Sequence, residues 1–551
     1  MKPWETAAEY HRQTEHHFHR SARSLGFMDW RNQPDPFRRY SGAPLIPLTL
    51  TRSHDGPSYD DVFDHARVAP RPVCENAIAA FMQFSLSLSA WKEYRESRWA
   101  LRINPSSGNL HPTEGYLVTG AVGGLCGSPA LWHYAPQEHA VERRAEIAEE
   151  SWRALVRDFP AATFLAGLSS VHWREAWKYG ERAYRYCQHD LGHALAAMSI
   201  SAALLGWHAL WLDGLSDAEV SNLLGLDREP DFQDAEREHP GAILAIIPQS
   251  PQTLGHLPTR MPEESIRRAA VGKWLGRANR LSADHVHWDI IDSVAEACTK
   301  PAESLADNTV TPLCAAVRPV IRPDSPPARR IINQRRSAVA LDGETSVRAD
   351  QFCAILDRVI PRPNRTPWNT FRGPVLVHLG LFVHRVKGLD PGLYMLVRSP
   401  DKLDELRGGT RPGFAWQVPH GVPDSLPLYR LMPGDLRLIS AQLACGQDIA
   451  ADGAFSCAML AEFDRPLRTR GAWLYRRLHW ETGAVGQVLY LEAEAAGVRA
   501  TGIGCFFDAP TAELFGMDSD KYKSLYHFTV GGPVEDTRLT TMPPYPPQRY
   551  D

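Results

Sequence analysis

Three short segments of this chain carry residue types suited to holding a ligand. The first is Arg102-Ile103-Asn104-Pro105-Ser106-Ser107-Gly108-Asn109-Leu110-His111-Pro112. Its Pro and Gly fix a turn, and Ser-Ser-Gly-Asn offers hydroxyls, an amide and free backbone N–H groups in a compact loop. The second is Arg335-Arg336-Ser337, where two guanidiniums and a hydroxyl at a segment start suit a phosphate through charge-assisted hydrogen bonds. The third is Thr501-Gly502-Ile503-Gly504-Cys505, whose glycines let a flat ligand approach the backbone closely. Taken singly, each has a plainer reading: a polar turn, a solvated basic patch and a tight turn.

The elements that must position these segments form a long-range repeat. Residues 183–227 align without a gap on residues 474–518, at an offset of 291 residues. Identical pairs include Tyr184/Tyr475, Arg185/Arg476, Gly192/Gly483, Gly206/Gly497, Asp217/Asp508, Gly225/Gly516 and Asp227/Asp518. In both copies the pattern predicts an Ala-rich apolar helix running from Gly192 or Gly483 to a left-handed glycine cap at Gly206 or Gly497. A short strand follows, and Asp217 or Asp508 then caps a second helix ending at Gly225 or Gly516. The order predicts an α+β domain built twice. The Pro-rich stretch 299–330 reads as the inter-domain linker. Domain one is expected over about 1–260 and domain two over 330–551. Residues 261–329 form a helical and Pro-rich connection.

Composition narrows the function classes. The formal charge of −4 and pI near 6.6 exclude a generic nucleic-acid footprint or a polybasic membrane arm. No apolar run reaches the roughly 18 residues that a membrane helix needs, and the start is polar and His-rich. The expectation is a soluble, cytoplasmic protein. Nine dispersed Cys without a CxxC pair read as mostly buried free thiols. His16 and His19 have a helical ligand spacing, yet no acidic or thiol set completes a site, so no metal is expected.

Taken together, the Arg-Arg-Ser segment, the Pro-Ser-Ser-Gly-Asn loop and the late Gly-x-Gly before a Leu-x-Gly helix resemble the FMN-dependent nitroreductase family. The nearest likeness is to its tandem SagB-type branch, which includes azoline dehydrogenases. Supporting segments include DWRNQPDPFRRYSGAPLIPL, WKYGERAYRYCQHDLGHALAA and LYHFTVGGPVEDTRLTTMPPYP. The resemblance implies two nitroreductase-like domains, each a mixed or antiparallel sheet flanked by helices, fused as an internal pseudo-dimer. The Pro-Ser-Ser-Gly-Asn loop occurs in the first half alone and Arg-Arg-Ser in the second alone. One intact composite FMN site and one decayed site are therefore expected.

By that resemblance Arg335 and Ser337 bind the FMN phosphate, with Arg538 a further base. Val339 stands where family members have a basic residue, which brings Arg336 and Arg365 forward as further phosphate ligands. Pro105, Ser106, Ser107 and Asn109 contact the flavin ring, and Gly504 and Cys505 present backbone N–H groups near flavin N5. Lys178-Tyr179 matches the Lys-Tyr pair of azoline dehydrogenases: a buried Lys as base, with Tyr as its hydrogen-bond partner. A solvated helix surface is the other reading of that pair. The implied activity is hydride transfer through FMN, with an azoline in a modified peptide as substrate. The alternatives are NAD(P)H-dependent nitro or quinone reduction, and a non-catalytic flavin-binding scaffold.

Overall fold

The computed structural model describes every residue except 65–66, 252–253, 256, 303–320, 323, 364, 372, 547–548 and 550–551. Most of the Pro-rich linker, and Cys314 with it, lies outside the described residues.

Each half is built on one antiparallel sheet. The first has seven strands in the spatial order 45–47, 140–146, 130–135, 113–119, 164–170, 239–247 and 208–211. The second has six, in the order 428–433, 392–396, 377–383, 455–462, 522–531 and 499–503. In both, the last two places hold the same pair: the long strand after the repeat and the short strand inside it. The central strands 164–170 and 455–462 are buried along their whole length, because helices cover them.

The repeat supplies two 22-residue helices, Ala183–Leu204 and Leu474–Ala495, which pack on each other at the centre of the molecule. All of the first helix is buried. This corrects the expected helix starts. Gly192 and Gly483 lie inside the helices and mark their crossing point. A Cβ at Gly192 would lie 2.3 Å from the Trp480 carbonyl oxygen, and one at Gly483 would lie 2.2 Å from that of His189. Glycine is needed there for backbone approach. The expected caps are present: Gly206 and Gly497 adopt φ of 71° and 77°. The second helices, Asp217–Leu224 and Asp508–Leu514, begin one residue after their caps, so neither Asp is a cap. Ser216 caps the first, with Glu219 completing a reciprocal box.

Chain ends tie the halves together. Strand Thr540–Met542 of the second half pairs with the 88–94 strand of the first. His16, just beyond the N-terminal helix Pro3–Gln13, bridges to Phe507. The expected helical pieces after residue 260 are Glu263–Ala270 and Asp289–Ala297. None of the described helices is long and apolar enough to cross a membrane.

Candidate active site

A cavity of about 810 Å³ opens between the halves, and it draws on all three segments singled out in the sequence. The first half supplies Pro105–Asn109, the second supplies Arg335–Ser337 and Thr501–Cys505. A drug-sized or cofactor-sized ligand needs a pocket of this order.

One end is strongly basic. The Arg335 guanidinium is buried, donates from Nη2 to the Arg102 carbonyl at 2.9 Å, and lies 5.1 Å from the Tyr490 ring centroid. Its Nε is buried with no hydrogen-bond partner. Arg336 donates to the carbonyls of Asn333, Arg335 and Ser89. Burial pushes both guanidiniums below their ordinary range, Arg336 to about 10 with the Arg335 charge adding to the effect. Neither side chain has an ion pair among the described residues. Two desolvated cations side by side are costly unless an anion joins them. Ser337 and Tyr490 share a hydrogen bond at 2.9 Å between their hydroxyls, and Tyr490 Oη accepts from the Gly502 N–H at 3.0 Å. Lys92 and Arg499 also face this end.

The Pro105–Asn109 loop forms a further part of the wall, and the buried Asp190 carboxyl group holds it in place. Ser107 donates to Asp190 from its backbone N–H at 3.0 Å and from its hydroxyl at 3.1 Å. Ser106 Oγ accepts from the His111 N–H at 2.7 Å. The Asn109 amide donates to the Ala100 carbonyl at 2.8 Å and helps hold the loop, and Asn109 lines the cavity. Beneath the loop, Glu175 is fully buried beside Asp190. Burial raises both acids, Asp190 to about 7 against the pull of its serine hydrogen bonds. Asn104 is a further unsatisfied group. Neither its amide nitrogen nor its oxygen has a partner, and it lines the cavity.

Lys178 and Tyr179 end the helix His172–Tyr179 at the edge of this loop. Gly108 has φ of 58°, and a Cβ there would lie 2.6 Å from the Tyr179 hydroxyl and 3.2 Å from Lys178 Nζ. The loop needs glycine because the Lys-Tyr pair comes so close. Burial, above all, raises the Tyr179 hydroxyl well above its ordinary range and holds it neutral. Lys178 itself is exposed, so it lacks the burial expected of it. At the second-half wall, the Gly504 carbonyl accepts from the Tyr186 hydroxyl at 3.0 Å.

Two expected residues lie elsewhere. Arg538 is 71% exposed at its side chain, pairs with Asp536 at 2.7 Å, and is not among the residues that line the cavity. Arg365 is buried against Asp357 at 2.6 Å, outside the cavity. Sequence reasoning missed Asp190, Glu175, Lys92 and Arg499, which belong to no motif, and passed over Asn104 inside one.

The symmetry-related position is nearly closed. Arg477, Glu481 and Trp211 are the repeat partners of Tyr186, Asp190 and Gly502, and they line a pocket of only about 50 Å³. Trp211 fills the space that Gly502 leaves open, packed against Phe371 and Trp480. The Arg477 guanidinium lies over it at 4.2 Å and pairs with Asp213 at 2.6 Å. Glu481 still accepts from a loop N–H, that of Leu376 at 3.2 Å, as Asp190 does from Ser107.

Two antiparallel α+β halves around a central helix pair, with a cavity shared between them, define a fused two-fold dimer. The nitroreductase family pattern matches residues 66–235 and 415–532, more than half of the chain, and the chain belongs to that family. It is 26% identical over 204 residues to the trifolitoxin-processing protein TfxB of Rhizobium leguminosarum bv. trifolii, a match covering 34% of this chain and 52% of that protein. It is also 26% identical over 130 residues to a nitroreductase-like protein of Methanocaldococcus jannaschii, covering 23% of this chain and 65% of the other. The chain thus spans between about half and two thirds of the length of these relatives. A solved nitroreductase-like structure from Anabaena variabilis shares the fold, with a TM-score of 0.69 and 21% identity over 96% of this chain and 99% of that one.

Proposed function

We propose that this chain is an FMN-dependent oxidoreductase of the SagB-type branch that oxidises an azoline ring in a modified peptide. The cavity between the halves carries the reading, with the Arg335 and Arg336 guanidiniums, neither in an ion pair among the described residues, at one end and the Pro105–Asn109 loop along its side. The residues fit the cofactor. A phosphate monoester of nearly two negative charges satisfies Arg335 Nε and offsets the Arg335 and Arg336 charges, with Ser337 as a further donor. Asn104, with an unmet donor and an unmet acceptor, suits a ring bearing both. When bound, FMN supplies two-electron redox chemistry at its ring.

The chain's own residues handle the proton. Lys178 Nζ lies beside Gly108 of the cavity-lining loop, within reach of a substrate held against that loop. It then takes the proton leaving the substrate carbon, while the neutral Tyr179 hydroxyl donates a hydrogen bond to orient the ring. Asp190 keeps the serine loop fixed. The relative named for trifolitoxin processing supports a substrate that is a maturing toxin precursor.

The test is incubation of the FMN-loaded chain with an azoline-containing peptide under air. Loss of two hydrogens from the peptide supports the reading. NAD(P)H consumption with a quinone or nitro acceptor, and no change in the azoline peptide, contradicts it.

A further inference from the structure

Two thiols meet at the cavity wall. Cys505 lines the cavity at the end of the 499–503 strand, and Cys445 lies in the loop that faces it. The two segments are tied together on either side. The Phe507 N–H donates to the Leu443 carbonyl at 2.8 Å, and Gln447 Nε2 donates to the Cys505 carbonyl at 3.0 Å. Ala444, Ala450 and Ile503 pack beneath them. Both cysteines are half-buried, and the 443–507 backbone hydrogen bond with the 447–505 contact sets Cys445 and Cys505 across from each other, close enough for each thiol to perturb the other. Among the other described cysteines, Cys187, Cys298, Cys353 and Cys457 are buried.

We propose that Cys445 and Cys505 form a reversible dithiol–disulfide couple in the cavity wall, oxidised by small disulfides of the glutathione class. The couple is asymmetric, as thiol exchange requires. The neighbouring Cys445 thiol, and then the Arg182 charge, favour the Cys505 thiolate, while the same proximity holds Cys445 protonated. Cys505 is therefore the attacking thiolate. It attacks one sulfur of the small disulfide, a mixed disulfide forms at Cys505, and one small thiolate leaves and takes up a proton. Cys445 then loses its proton to solvent and attacks the Cys505 sulfur. The intrachain S–S bond forms and the second small thiol leaves. The small disulfide gains two electrons and the protein dithiol loses two. The new bond ties the 443–447 loop to the wall that carries Gly504 and Cys505.

The experiment treats the purified full-length chain with oxidised glutathione, with and without added FMN, then alkylates free thiols and maps the peptides by mass. The expected result is a peptide pair linked through Cys445 and Cys505, reversed by dithiothreitol, while the exposed Cys74 gains a mixed disulfide at most. Cys445→Ser should trap glutathione on Cys505, and Cys505→Ser should leave Cys445 free. Full alkylation of both cysteines in the wild-type chain would overturn the proposal. So would a Cys445→Ser chain, folded by circular dichroism, whose Cys505 takes up no glutathione.

Discussion

Arg185 of the first half and Asp508 of the second are paired at 2.5 Å, and their repeat partners Arg476 and Asp217 form the same pair in the opposite direction at 2.7 Å. Such reciprocity is the mark of an isologous two-fold interface, here preserved inside one chain. Tyr184 and Tyr475, also repeat partners, stack between the two pairs with ring centroids 6.2 Å apart.

Asp508 is fully buried and also holds Arg182 at 3.2 Å and the His16 N–H at 3.2 Å. Asp508→Ala would leave two guanidiniums buried without their carboxylate. The expected cost is about 3–5 kcal/mol, read as a lowered urea midpoint. Because Asp508 follows Cys505 by three residues, flavin retention should fall with it.

The glycine crossing makes a sharper packing prediction. Gly483→Ala places a methyl group against the backbone of His189 and Gly192, which cannot rotate away. Alanine favours the helix by up to about 1 kcal/mol, yet the forced separation should outweigh this and destabilise the chain by about 1–3 kcal/mol. A midpoint unchanged from wild type would mean that the helices do not meet there.

His133 gives a pH dependence of stability. It is buried between Glu142 at 2.9 Å and Glu114 at 3.1 Å, and Arg174, on the Lys178 helix, joins Glu114. Burial alone would lower the imidazole, but the two carboxylates win and raise it to about 9. A raised folded-state value stabilises fully below the unfolded value near 6.5 and is lost as pH rises through 9. Unfolding midpoints should therefore fall between about pH 6.5 and 9, by a contribution on the order of 3 kcal/mol. His133→Gln should flatten that fall.

Lys178 sits outside the buried framework, so its removal should be chemically selective. Lys178→Ala is expected to leave the folding midpoint within about 0.5 kcal/mol and spare flavin content. Azoline oxidation should slow by about 10²–10⁴-fold, the range of a lost general base. Loss of flavin with the variant would make Lys178 a binding residue instead.

The repeat, the two-sheet architecture and the three ligand segments were legible because each leaves a linear trace. Gly206 and Gly497 read correctly as left-handed caps. Gly192 and Gly483 did not, since a glycine inside a helix pattern looks like a boundary when the helix that presses on it is 291 residues away. Asp190, Lys92 and Arg499 are single residues on regular elements, and only the fold brings them to one cavity, with Glu175 buried beside Asp190. Arg538 shows the converse: Asp536 and Leu539 line the cavity while the side chain between them turns out to solvent.

The central claim is one composite FMN site and one closed site per chain, and the visible spectrum of the purified protein with the released cofactor identified by mass tests it most directly. The account predicts a yellow protein that releases one FMN per chain, and a colourless one when Arg335→Ala and Ser337→Ala are combined. No flavin after FMN addition, or two per chain despite Trp211, would contradict it.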